Sequence, residues 1–136
     1  MITIYDYEDL EKYYSEHYNQ YTIDDDITIY SCFCAELSDE DIHVNGDIYV
    51  DCSLFGREIR AKSIYGKHVN GDNIIADKIN LNSIKGFNIY ANYIDCEDIK
   101  YHYTCIATQE LHYGKIQNTN GYPCHLCLKD LYHENK

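Results

Sequence analysis

The chain has 136 residues, enough for one domain, and carries 11 Lys+Arg against 23 Asp+Glu, for a net charge of −12 and a pI near 4.7. Large catalytic barrels are excluded by length, and the charge disfavours direct contact with a nucleic-acid backbone or an anionic membrane surface. With 45% hydrophobic and 14% aromatic residues, including 16 Tyr, the composition is too apolar for a disordered chain.

Residues 1–43 read as an acidic, Tyr-rich N-terminal cap. Met1 to Asp6 shows no basic stretch followed by an apolar run, and no window approaches the ~18 apolar residues of a membrane span, so a cytoplasmic location is expected. For a phage-encoded chain that is the host cytoplasm. Tyr7, Leu10, Tyr14 and Tyr18 recur at helical spacing behind Asp6 as a potential N-cap, predicting a helix over 6–20. Residues 27–33 alternate as a strand, with Cys32 and Cys34 on one face, read as buried packing. All seven cysteines are expected as reduced thiols, because the number is odd and no secretion signal is seen.

The charge is concentrated in this segment. Asp6, Glu8, Asp9, Glu11, Glu16, Asp24, Asp25, Asp26, Glu36, Asp39, Glu40 and Asp41 stand against Lys12 alone, a net −11, whereas residues 44–123 are nearly neutral. Interleaved tyrosines, Tyr13 and Tyr14 among them, add rigid contact area of the kind enriched at binding hot spots. Such a face is either a solvated cap that keeps an edge-bearing fold soluble or a surface that imitates a phosphate row.

From residue 59 the chain divides into fives: IRAKS, IYGKH, VNGDN, IIADK, INLNS, IKGFN, IYANY, IDCED, IKYHY. The first position is Ile59, Ile64, Val69, Ile74, Ile79, Ile84, Ile89, Ile94 and Ile99, a run with a chance probability below about 10⁻⁷. The third is mostly small, as in Ala61, Gly66, Gly71, Ala76, Gly86, Ala91 and Cys96. The register extends back through Leu54/Gly56, Tyr49/Asp51 and Val44/Gly46; forwards, the apolar residue moves to Ile106, Leu111 and Ile116. A period of five fits neither helix nor plain strand. It fits a β-solenoid over 44–118 in which two inward residues flank an outward one and two more turn a corner.

These pentads resemble the pentapeptide-repeat family, with the large and small inward residues in reversed order. The resemblance implies a right-handed quadrilateral β-helix with four pentads per coil, so that residues 20 apart stack at about 4.8 Å. Several members of that family are acidic imitators of duplex DNA that bind type II topoisomerases. In those the solenoid carries the charge; here it does not, so a topoisomerase target is not supported.

Residues 119–136 read as a small C-terminal cap with a short closing helix over 126–132. Cys124 and Cys127 form a C-x2-C pair that His112 and His133 would complete as a structural zinc site; the alternative is a turn pair beside surface histidines. No nucleophile motif, phosphate loop or paired-carboxylate set stands out, and no catalytic residue is expected. The expectation is therefore a mainly β, non-enzymatic binding protein: an acidic, nucleic-acid-mimicking inhibitor of a protein with a basic nucleic-acid-binding groove, of the anti-defence or anti-CRISPR type that phages carry. The alternatives are a self-assembling solenoid, hence a homo-oligomer, and a zinc-dependent adaptor.

Overall fold

A computed structural model of the chain describes residues 1–30 and 39–121 in full and 125–127 as backbone. The chain order is β1 (Ile2–Ile4), α1 (Tyr7–Glu11), β2 (Tyr14–Ser15), β3 (Gln20–Ile23), β4 (Ile27–Ile29), β5 (Asp41–Val44), β6 (Asp47–Arg60), β7 (Ser63–Ile75), β8 (Lys78–Asn118) and β9 (His125–Cys127). The fold is a β-solenoid whose long strands bend round several corners and pair in parallel with the next turn.

The stacking interval corrects the expected coil. Ile64 pairs with Ile79, Val69 with Ile84 and Ile74 with Ile89, so residues 15 apart are neighbours, not residues 20 apart. Each turn holds three pentads and the cross-section has three sides. All nine first-position residues from Ile59 to Ile99 are buried, and so are Leu81 and Tyr101 at third positions that are otherwise mostly small. The first face stacks β1, β4 and residues 47–50 and 63–66; the second stacks 53–56 and 68–71; the third stacks β3, β5, 58–60 and 73–75.

Away from the strict pentads the turns lengthen. Ile48 pairs with Ile64, Ile42 with Ile59, Ile27 with Ile48 and Ile2 with Ile27. Parallel stacking thus begins at β1, and the N-terminal segment supplies turns of the same solenoid. Two inward assignments shift accordingly. Ile48 and Val50 are buried while Tyr49 points out, its ring stacked on Tyr65 at 5.2 Å. At the other end Cys105 and Ala107 are buried in place of Thr104 and Ile106, because one added residue precedes them. The register shift between Val50 and Ser53 is a bulge. Opposite it, Gly66 has φ +131°, and a Cβ there would lie 2.0 Å from the Val50 carbonyl oxygen.

The helix expected over 6–20 is limited to α1. Asp6 caps it by accepting from the Asp9 N–H at 3.1 Å, and Leu10 is its buried residue. Beyond Lys12 the tyrosines and turn formers favour extended chain, and β2 and β3 form a hairpin with Asn19 at φ 55° in its turn. Tyr14 packs edge-on to Tyr21 at 5.1 Å. Because β2 is antiparallel and only two residues long, it closes the edge of β3 and offers little to a further strand.

Strand β4 ends at Ile29, and Cys32, Cys34 and the rest of the expected 27–33 strand lie mostly outside the described residues. Residues 125–127 are a strand paired with 105–107, so the closing helix does not begin at Leu126, and 128–132 lie outside the described residues. Cys52 is disulfide-bonded, which corrects the all-thiol expectation. Cys96 and Cys105 are free, and burial pushes both thiols up to about 12. Among the described residues no helix is long and apolar enough to cross a membrane.

Truncation of a strict-pentad Ile removes packing from three neighbouring turns. Ile74→Ala is expected to cost roughly 2–5 kcal/mol in denaturant unfolding, and Gly66→Ala to destabilise comparably through its clash with Val50. Ile75→Ala, on the outward position of the same strand, is expected to change stability far less.

Candidate partner-binding face

The twelve N-terminal carboxylates divide into two groups. Most of the aspartates are held by the fold itself. Asp6 caps α1, and Asp9 accepts from the Tyr5 N–H at 2.8 Å. Asp24 accepts from the Asn45 amide, Asp25 lies 3.6 Å from the N-terminal ammonium, and Asp26 accepts from the Asp47 N–H at 2.8 Å. Asp41 is gripped by the Arg57 guanidinium through two bonds of 2.9 Å. These acids help cap α1 and tie successive rungs together, so their positions follow the fold, while Asp6, Asp24 and Asp25 stay exposed.

Glu8, Glu11, Glu16, Asp39 and Glu40 make up the second group; among the described residues no cation lies within 4.0 Å of them. Glu36 lies outside the described residues. Two of this group converge. Tyr7 and Glu11 of α1, Tyr14 of β2, Tyr21 of β3 and Glu40 before β5 line an open cleft of about 360 Å³. The Tyr7 and Tyr21 hydroxyls are 2.8 Å apart, and Tyr14 donates to Asn19. Burial first, then the hydrogen bond to Tyr7 and the negative field of Glu40 and Glu11, raises the Tyr21 pKa and keeps its phenol neutral. A cleft walled by three tyrosines and two carboxylates favours a cation: an ammonium or guanidinium gains the carboxylate field and the electron-rich ring faces.

Tyr13 does not line this cleft. It is half-buried against the core, with the Lys12 ammonium 5.4 Å from its ring centroid. In the sequence Tyr7, Tyr14 and Tyr21 belong to the tyrosines interleaved with the acids, and Glu11 and Glu40 to the broad acidic face, with nothing to single these five out. Nothing local marks residues 7, 21 and 40 as neighbours; their meeting requires the parallel pairing of β3 with β5.

The zinc set is not assembled within the described residues. His112 is exposed, with Nε2 3.2 Å from Glu110 Oε2. Cys124 and His133, and the side chain of Cys127, lie outside them. Among the described residues no group of three or more His, Cys, Asp or Glu is placed to hold a metal ion. No family model, curated protein or solved structure matches this chain.

The Arg57 guanidinium holds the Asp41 carboxyl below its ordinary value of 3.8. Since the folded pKa is the lower one, the pair contributes stability above that value and loses it as pH falls through the folded pKa. Both partners are partly exposed, so the effect is small. Asp41→Asn is expected to lower the Tm by a few degrees at most at neutral pH, with the two proteins converging in acid; a difference that persists at low pH would mean that the pair is not its source.

Proposed function

We propose that this chain is a non-enzymatic binding protein: an acidic inhibitor that presents its N-terminal end to the basic groove of a nucleic-acid-handling protein, of the kind phages deploy against host defence. One observation carries the reading. The Tyr7/Tyr14/Tyr21 cleft gathers Glu11 and Glu40 with no cation of the described residues within 4.0 Å of either carboxylate, although Arg57 reaches Glu40 electrostatically at longer range. A lysine or arginine of the partner is its natural occupant, and Glu8, Glu16 and Asp39 add negative field on the same segment. This differs from a whole-surface imitation of duplex DNA: contact is concentrated at one end, while the remaining aspartates shape the turns.

Self-assembly is less well supported at the edge of β3, which the two-residue antiparallel β2 occupies. The zinc-adaptor alternative rests on residues outside those described, and no observation favours it.

The test is a pull-down from nuclease-treated host lysate with stepped salt, followed by kinetics with the purified partner. A single nucleic-acid-binding protein released as salt rises is the expected result. Glu11→Gln/Glu40→Gln should then slow association, flatten its salt dependence and weaken binding about tenfold or more. Asp77→Asn, remote from the cleft, should leave it unchanged. Binding indifferent to both salt and the double substitution would overturn the reading.

A further inference from the structure

The second face of the solenoid has the opposite character from the acidic end. Its outward positions stack Phe55 on Asn70 and Asn70 on Lys85. Lys100 follows one 15-residue turn later, and both lysines line a cleft of about 210 Å³. Neighbouring strands are about 4.8 Å apart, and like charges stacked at that spacing repel. Among the described residues neither ammonium has a carboxylate within 4.0 Å, although the chain carries 23 acids. An anion bridging the two lysines would turn that repulsion into attraction.

The rest of the lining mixes Phe55 and aliphatic residues with polar ones such as His68 and Ser83. His68 Nδ1 and Ser83 Oγ are 2.6 Å apart, which fixes the imidazole along one wall. Asp98 completes this column and also lines the cleft; its Oδ1 is buried with no hydrogen-bond partner. The Asp98 carboxylate gives the cleft a hydrogen-bond acceptor, to which a hydroxyl of a bound molecule would donate. With two ammoniums against one carboxylate, the lining is locally basic on a chain of net charge −12.

We infer that this cleft binds a small polyol phosphate, with the phosphate oxygens on Lys85 and Lys100 and a ligand hydroxyl donating to Asp98. The site is separate from the acidic end and does not depend on what that end binds.

Amide chemical-shift titrations of the whole chain at fixed ionic strength, with inorganic phosphate, glycerol 3-phosphate and citrate as probes, test the assignment. Saturable shifts centred on Asn70, Lys85 and Lys100 are expected, with glycerol 3-phosphate binding several-fold more tightly than inorganic phosphate. Lys85→Ala/Lys100→Ala should weaken both at least tenfold with the fold unchanged by circular dichroism, and Lys62→Ala should not. Asp98→Asn should bind inorganic phosphate at least as tightly as the parent but lose the preference for the polyol ester. Non-saturating shifts spread over all lysines, unchanged affinity in the double lysine variant, or tighter binding of citrate than of either phosphate would each overturn the proposal.

Discussion

The structure depends on columns of branched aliphatic side chains stacked at a 15-residue interval inside a three-sided coil. Ile64 over Ile79, Val69 over Ile84 and Ile74 over Ile89 fix the register of every strand at once, because a slip of one residue would turn a buried Ile outward. The small inward partner allows the sides to meet. At Gly86, a Cβ would lie only 2.9 Å from the Gly71 carbonyl oxygen, so bulk is excluded where the backbones of successive turns approach. With the interior set by these residues, the outward and corner positions are free to carry polar ladders. Asn88 donates to Asn73, Thr104 to Asn88, and Thr108 to Asn92. In a stacked fold each turn is stabilised mainly by its neighbours, so these ladders and the Ile columns act on the same contacts.

That architecture was legible where its period was unbroken and obscure where it was not. Nine consecutive branched residues identified the solenoid and the inward positions from Ile59 to Ile99. The number of sides was not written in the period, since three or four pentads satisfy it equally; it appears only in the 15-residue pairing of successive turns. Near the ends the pattern misled for a definite reason. Counting by fives from Leu54 reaches Tyr49, but a bulge between Val50 and Ser53 places Ile48 and Val50 inside instead. Likewise Tyr7, Leu10, Tyr14 and Tyr18 fit a helical stripe, yet only Leu10 of the four is buried, and the tyrosines beyond it belong to a hairpin.

Charge follows the same logic of position. A segment with net −11 invited a reading of continuous acidic surface, but the solenoid uses Asp24, Asp26 and Asp41 to satisfy amides and a guanidinium where turns join. The lengthened N-terminal turns need such residues because each added residue at a corner brings a backbone N–H that the ladder does not pair. The carboxylates left over among the described residues are mainly glutamates, Glu8, Glu11, Glu16 and Glu40 with Asp39. Net charge therefore overstates the surface available to a partner, and the cleft that gathers Glu11 and Glu40 with three tyrosines is a better guide to where contact is made.

The end of a solenoid must bury its last rung, and here residues of the segment that does this also build the candidate site. Leu10 and Tyr21 are buried in the terminal turn, while Tyr7, Tyr14 and Glu11 come from the same helix and hairpin. Closing the end required departing from the pentad, and that departure produced a concave, aromatic, acidic surface that the uniform sides of the coil do not form. The coupling also separates the roles by side chain. Tyr21 serves both core and cleft, so its loss confounds stability with binding, whereas Glu11 and Glu40 touch the cleft without entering the core. On the second face the division is simpler: Ile84 and Ile99 hold the coil from within, and Lys85 and Lys100, one position along, are left to solvent and to whatever anion the cleft accepts.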